Sequence, residues 1–263
     1  MCGVTEVGFI AVICGLKSEA QVVSRAVDAS KIRVGVSGAN AGRAEGIARQ
    51  FCQDGAAAII SIGVSGGLEP SLAPGDLIIG ETVIADDGAV YESDRYLLGS
   101  ITTARSRESG NPGKQKIMGP HFRGDERGEG LDANVKPITG ALFGSDDIIE
   151  TAGEKTALFQ NHGCLAVDME SHGAARAAAR AGVPFLAIRA VADPADRALP
   201  PAALGAVAPD GSTRMLATLG AALRDPKQFP ALIKLGADSG AALKTLRRDL
   251  RALFGALFLS LDL

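Results

Sequence analysis

The sequence predicts an α/β fold, on three observations. Short apolar runs alternate with Ala/Gly-rich segments of helical length, glycines and prolines punctuate the junctions, and 263 residues suffice for one large α/β domain with a sizeable core. Only one charged stretch breaks the alternation, so residues 1–263 are expected to form a single domain.

Val7 to Cys14 reads as a core strand, and Gly15-Leu-Lys-Ser-Glu19 turns into a helix reaching about Val27, with Ser18 as the candidate cap. Ile32 to Ser37 is a second strand, and Ser37 to Gly42 opens a helix through Asp54. Ala56 to Ile62 is a third strand that enters a loop, Gly63-Val64-Ser65-Gly66-Gly67-Leu68; Pro70 and Pro74 keep the chain beyond it out of helix until a strand starts near Asp76. A further strand spans Pro137 to Phe143, and the turn Gly144-Ser145-Asp146 follows. Leu165 to Val167 is a short strand that hands over to a helix capped by Gly182, and Phe185 to Ala192 is a buried strand stopped by Asp193-Pro194. That last unit is βαβ. Its two strands are expected to be parallel, which puts Glu170 and Asp193 at the sheet edge where α/β folds bind ligands.

Composition excludes several classes. A formal charge of −3, from 27 basic and 30 acidic residues, gives no pull toward nucleic acid. Cys2, Cys14, Cys52 and Cys164 are widely spaced and lack a His at ligand spacing, so neither a metal site nor a disulfide framework is expected and the compartment reads as cytoplasmic. The apolar run from Val7 to Leu16 follows Glu6, has no basic start or small-residue cleavage site, and is too short for a bilayer. Gly63-Val64-Ser65-Gly66-Gly67 matches the nucleophile elbow of serine hydrolases, but that elbow requires a helix immediately after it.

Three carboxylates fall just past strand ends: Glu19, Glu170 and Asp193. A carboxylate there can hold a ribose diol or, with a raised pKa, move a proton. Taken singly, a Glu in a first helical turn and an Asp before proline also have plain structural uses.

The blocks Ala166-Val-Asp-Met-Glu-Ser171 and Ala187-Ile-Arg-Ala-Val-Ala-Asp193 resemble the V-E-M-E and R-A-[IV]-S-D segments of the nucleoside phosphorylase and nucleosidase superfamily. The resemblance implies a three-layer α/β/α fold with a central mixed sheet, and no cofactor. It implies that Glu170 holds the ribose, Met169 packs on the sugar, Asp193 handles the proton at purine N7, and Glu19 activates water. Asp168, Gly66 and Gly67 join the substrate site, and Ser145, Asp146, Ile148 and Ile149 lie beside the base, Ile148 standing where relatives place an aromatic stacker. Phosphorolytic relatives carry Arg and Ser/Thr where this chain has Ser61 and Val64; Arg43 is the remaining candidate for phosphate, and water is favoured as nucleophile. The longer run through Pro194-Ala-Asp-Arg-Ala-Leu-Pro-Pro201 is similar to the hopanoid-biosynthesis-associated phosphorylases, or adenosylhopane nucleosidases, which implies adenosylhopane as the nucleoside. Phosphorolysis of the same bond and a catalytically silent nucleoside-binding module are the alternatives. Relatives assemble as dimers or larger rings, so a homo-oligomer is expected.

Two segments fall outside this frame. Residues 100–135 are charged, Gly-rich and aperiodic, and read as a mobile insertion. From about 240 to 261, Leu243, Leu246, Leu250, Leu253, Phe254 and Leu257 recur at helical spacing with Lys244, Arg247, Arg248 and Arg251 between them. Such a helix is either packed on its own domain or a partner, or serves as a peripheral contact with the inner membrane. His162 and His172 are expected to be surface or helix residues.

Overall fold

The computed structural model describes residues 8–108, 137–214 and 223–263. Strands β1 (Phe9–Cys14), β2 (Ile32–Val36), β3 (Ala56–Gly67), β4 (Leu77–Ala85), β5 (Val90–Glu92), β6 (Ile138–Gly144), β7 (Ala166–Asp168) and β8 (Phe185–Asp193) form one mixed sheet. It is ordered β2-β1-β3-β7-β6-β4-β5, and β8 pairs with both β3 and β4. The pairings therefore close a ring, β3-β8-β4-β6-β7, at the centre of the fold.

Helices cover both faces. Helices α1 (Lys17–Ala26) and α3 (Arg95–Glu108), with the C-terminal helix Phe229–Ser260, pack Val22, Leu97, Leu246 and Leu250 against Val12, Ile60 and Ile188. On the opposite face, α2 (Ala41–Gln53) and α5 (Ser171–Ala181) pack Ala44, Ala48, Ala174 and Ala178 against Ile59, Ile78 and Val191. Alanine and glycine let α2 and α5 approach closely: a Cβ on Gly173 would strike the carbonyl of Ala41. Helix α4 (Ala152–His162) starts on a Thr151/Glu154 capping box and ends at Gly163 in the left-handed conformation, φ 66°. The three-layer α/β/α architecture with a central mixed sheet is as the sequence predicts.

Several local expectations are corrected. Gly63–Gly67 is not a loop but the end of β3, held in extended form by β8 on one side and β7 on the other. That placement also removes the nucleophile-elbow reading of Ser65, since no helix follows it. Strands β7 and β8 are not parallel: β8 runs parallel to β3 and β7 antiparallel to it. Ser18 does not cap α1; Leu16 is its N-cap, and the Glu19 carboxylate accepts its N–H. Residues 100–108 of the expected insertion belong to α3, and residues 109–136 lie outside the described residues. The C-terminal helix begins at Phe229, before the expected position, and its apolar side is the core rather than a membrane contact. Leu246, Leu250, Leu253, Phe254 and Leu257 are each at most 2% exposed, because burial against the sheet satisfies the whole stripe. Among the described residues, no helix is long and apolar enough to cross a membrane.

Candidate active site

The end of β3 is the common partner that assembles the site. Gly66 lies opposite Asp193 of β8 and, in the antiparallel sense, opposite Val167 of β7. Asp168 to Ser171 and Asp193 to Pro194 thus meet although their strands run in opposite directions. β1 flanks β3 on its other edge and delivers Gly15 and Glu19 to the same end. Glycine is needed where carboxylates press on backbone. A Cβ on Gly63 would lie 2.9 Å from Glu19 Oε1, one on Gly66 3.3 Å from Asp193 Oδ2, and one on Gly15 would collide with Glu170 Oε1. Gly15→Ala consequently has a defined expected outcome: the far end of Glu170 moves aside, the protein folds, and kcat/KM falls ~10-fold or more through the misplaced carboxylate. Melting curves and steady-state kinetics on the same preparation check it.

Glu19 is 2% exposed. Its Oε2 accepts the backbone N–H of Gly15 at 2.9 Å and of Leu16 at 2.8 Å, and its Oε1 accepts that of Val64 at 2.8 Å. Burial pushes its carboxyl above the usual range, against the lowering effect of those three bonds.

Beside it, Asp168 and Arg189 make a buried polar core. Asp168 Oδ1 accepts the backbone N–H groups of Glu170, the N-cap of α5, and of Ser171, at 2.8 and 2.7 Å, and so holds the turn that enters the helix. The Arg189 guanidinium donates to Ser61 Oγ at 2.7 Å, Ser171 Oγ at 2.8 Å and Asp168 Oδ1 at 3.0 Å, and lies 3.7 Å from Glu170 Oε2. Burial alone would raise Asp168, but Arg189 and the Ser171 bonds hold its carboxyl below the usual range. Asp168 therefore spends its oxygens on the turn entering α5, the Ser171 hydroxyl and Arg189.

Glu170 is pushed up to about 8, first by burial and then by the negative charge of Asp168. A carboxyl raised in the folded state keeps its full stability below its unfolded pKa and loses it as pH rises through the folded value. The protein should therefore lose thermal stability between about pH 4.5 and 8, and Glu170→Gln should flatten that slope, as melting temperatures across pH would show.

Asp193, 9% exposed, sits against Gly66 and is ion-paired with Lys155, which is wholly buried on α4. Burial raises the Asp193 carboxyl, while Lys155 and then Arg197 pull it down. Arg197 in turn pairs with Asp238 of the C-terminal helix.

The turn after β6 forms another wall. Ser145 is buried, and its hydroxyl donates to the Asp147 carbonyl at 2.8 Å. Ile149 packs on Phe143 and Val167, whereas Ile148 stays 43% exposed. Met169 is half-buried. His172 is a helix residue, as the sequence allows, but is buried rather than on the surface; its Nε2 lies 3.2 Å from Asp146 Oδ1. Asp86, Asp146 and His172 form the metal-ligand-like cluster among the described residues, their donor atoms lying within 4.8 Å of one another. Nδ1 of His172 is buried without a partner, whereas a metal-bound imidazole donates its second N–H to an acceptor. The cluster therefore fits an Nε2–H donated to Asp146. Arg43, the candidate for phosphate, donates to the carbonyls of Ser37 and Gly38.

The candidate residues Glu19, Glu170 and Asp193 all meet at the end of β3. Sequence reasoning missed Arg189 and Lys155. A lone Arg inside the apolar run Phe185 to Ala192 is a usable signal, because a charge is buried only with partners. Lys155 sits in an ordinary helical segment and carries no such signal.

Comparison with known proteins places the fold and the family. The chain is 30% identical over 141 residues to futalosine hydrolase of Streptomyces coelicolor, and it spans about half (53%) of that relative's length. Its fold is similar to the 5'-methylthioadenosine/S-adenosylhomocysteine nucleosidase of Neisseria meningitidis, with a TM-score of 0.65 at 17% identity over 94% of this chain and 99% of the other. It is likewise similar to futalosine hydrolase of Helicobacter pylori, with a TM-score of 0.67 at 14% identity over 95% and 98%. The family model described as Phosphorylase superfamily matches residues 26–224, most of the chain, and the protein belongs to that superfamily.

Proposed function

We propose that this protein hydrolyses the N-glycosidic bond of an adenosine-type nucleoside and releases adenine. Asp193 gives its proton to purine N7 as the bond from C1′ to N9 breaks and its electron pair passes into the imidazole ring. Water attacks C1′ and loses its proton to Glu19, whose carboxyl is held above the usual carboxylate range by burial. Glu170 holds the 2′ and 3′ hydroxyls, and Met169 packs on the sugar. Gly66 and Gly67 let the substrate approach β3 closely, and Ser145, Asp146, Ile148 and Ile149 border the base. Asp168 acts from behind by fixing Arg189 and the start of α5. Resemblance to the hopanoid-associated branch makes adenosylhopane the substrate of choice.

One observation favours water over phosphate. The three backbone N–H groups at Gly15, Leu16 and Val64, which would otherwise attract an anion, are filled by the Glu19 carboxylate. A phosphate dianion would meet that carboxylate, and the two guanidiniums described near this end are already engaged: Arg189, wholly buried, through Nη2 with Ser61, Asp168 and Ser171 and through Nη1 with the Ile188 carbonyl, and Arg43 with two carbonyls. Adenine release from a panel of 5′-substituted adenosines in phosphate-free buffer tests the proposal. Release only when phosphate is added would point to phosphorolysis, and tight binding without release in either buffer to the silent binding module.

A further inference from the structure

Lys155 is 0% exposed, and burial of an ammonium is costly unless every donor is used and the charge is paired. Here both conditions hold. Its Nζ donates to Asp193 Oδ2 and also, at 3.0 Å, to each of the two carbonyls of Pro194 and Arg197. The three acceptors lie on the last residue of β8 and the turn that follows it, so one side chain from α4 ties down the segment from Asp193 to Arg197. A clamp on that turn would need only the two carbonyls. The third bond goes to the carboxyl group that faces Gly66 at the end of β3. Among the described residues, the other charges that act most on Asp193 are Arg197 and, paired with it, Asp238 of the C-terminal helix.

We infer that Lys155 is a positioning residue for the Asp193 proton transfer: it fixes the carboxyl on its Oδ2 side, leaving Oδ1 for the base, and supplies the counter-charge when the carboxylate forms. This rests on the role proposed for Asp193. In the acid form that starts the step, Asp193 has taken up a proton from solvent and stays hydrogen-bonded to the ammonium. Afterwards that proton is on adenine N7, and the carboxylate is again ion-paired with Lys155. Nothing is oxidised or reduced, and Lys155 keeps all three of its protons.

Removing the ammonium makes Asp193 a weaker acid. Lys155→Met should therefore move the high-pH limb of kcat/KM upward by roughly one unit or more, since an opposite charge in contact lowers a carboxyl pKa by about one to three units. The rate on the low-pH plateau should fall ~10-fold or more, because a weaker acid transfers its proton less readily. Lys155→Arg, which keeps the charge, should retain the wild-type limb. In an Asp193→Asn background, Lys155→Met should change kcat/KM less than ~2-fold, because the two residues act as a unit. An unmoved limb, or equal losses with and without Asp193, would overturn the inference and leave Lys155 a structural clamp. If Lys155→Met alone does not fold, the double variant strands no charge, and its comparison with Asp193→Asn decides the same point. If the wild-type protein releases no base from any nucleoside, the proposed function fails. The pairing is then tested by melting temperatures in the same double-mutant cycle, where additive losses would overturn it.

Discussion

Asp193→Asn is expected to lower kcat/KM by ~10²-fold or more, the usual contribution of a positioned general acid. Asparagine keeps the shape and accepts a bond from Lys155, but it has no acidic proton to give to N7. The substitution also strands a buried ammonium, and breaking one side of a buried ion pair costs about 3–5 kcal/mol. The variant should therefore melt at a lower temperature as well. Steady-state rates taken well below that melting point separate the two effects; nearly normal turnover by folded protein would remove Asp193 from the mechanism.

Glu19→Gln should be comparably damaging, at ~10²-fold or more on kcat with a smaller change in KM, because Glu19 is assigned to the water rather than to the nucleoside. The geometry sharpens the expectation. Both Glu19 oxygens accept backbone N–H groups, so the amide nitrogen of Gln must face either Val64 or the Gly15–Leu16 pair, donor against donor. Glu19→Ala instead vacates all three N–H groups, and formate, a small carboxylate, is expected to restore part of the activity by filling them. Activity of Glu19→Gln within a few-fold of wild type would exclude Glu19 as the base.

The gathering of three carboxylates at one end of the sheet was legible in the sequence alone. Glu19, Glu170 and Asp193 each follow a short apolar run that ends at Gly, Asp or Pro, and strand ends in α/β sheets are where ligand groups collect. The direction of β7 was not legible. A strand, a helix of 11 residues and a second strand usually make a parallel crossover, but here β3 lies between them and pairs with β7 only through Gly66 and Gly67. The same glycines read as a loop, because local propensity cannot register ladder bonds supplied from both sides. The C-terminal helix was legible as amphipathic, yet only its contact with Ile60 and Ile188 decides that its apolar stripe is core. Lys155 illustrates the limit. Its burial is set by three acceptors about forty residues away in the chain, and no local pattern in α4 announces them.

The most direct measurement is the identity of the sugar product formed in phosphate buffer, followed by phosphorus NMR alongside adenine release. Hydrolysis predicts free 5′-substituted ribose, no sugar phosphate signal, and the same rate when phosphate is replaced by another buffer. Stoichiometric formation of a ribose 1-phosphate, with activity that depends on phosphate, would contradict the assignment of Glu19 to water and make phosphorolysis the reaction.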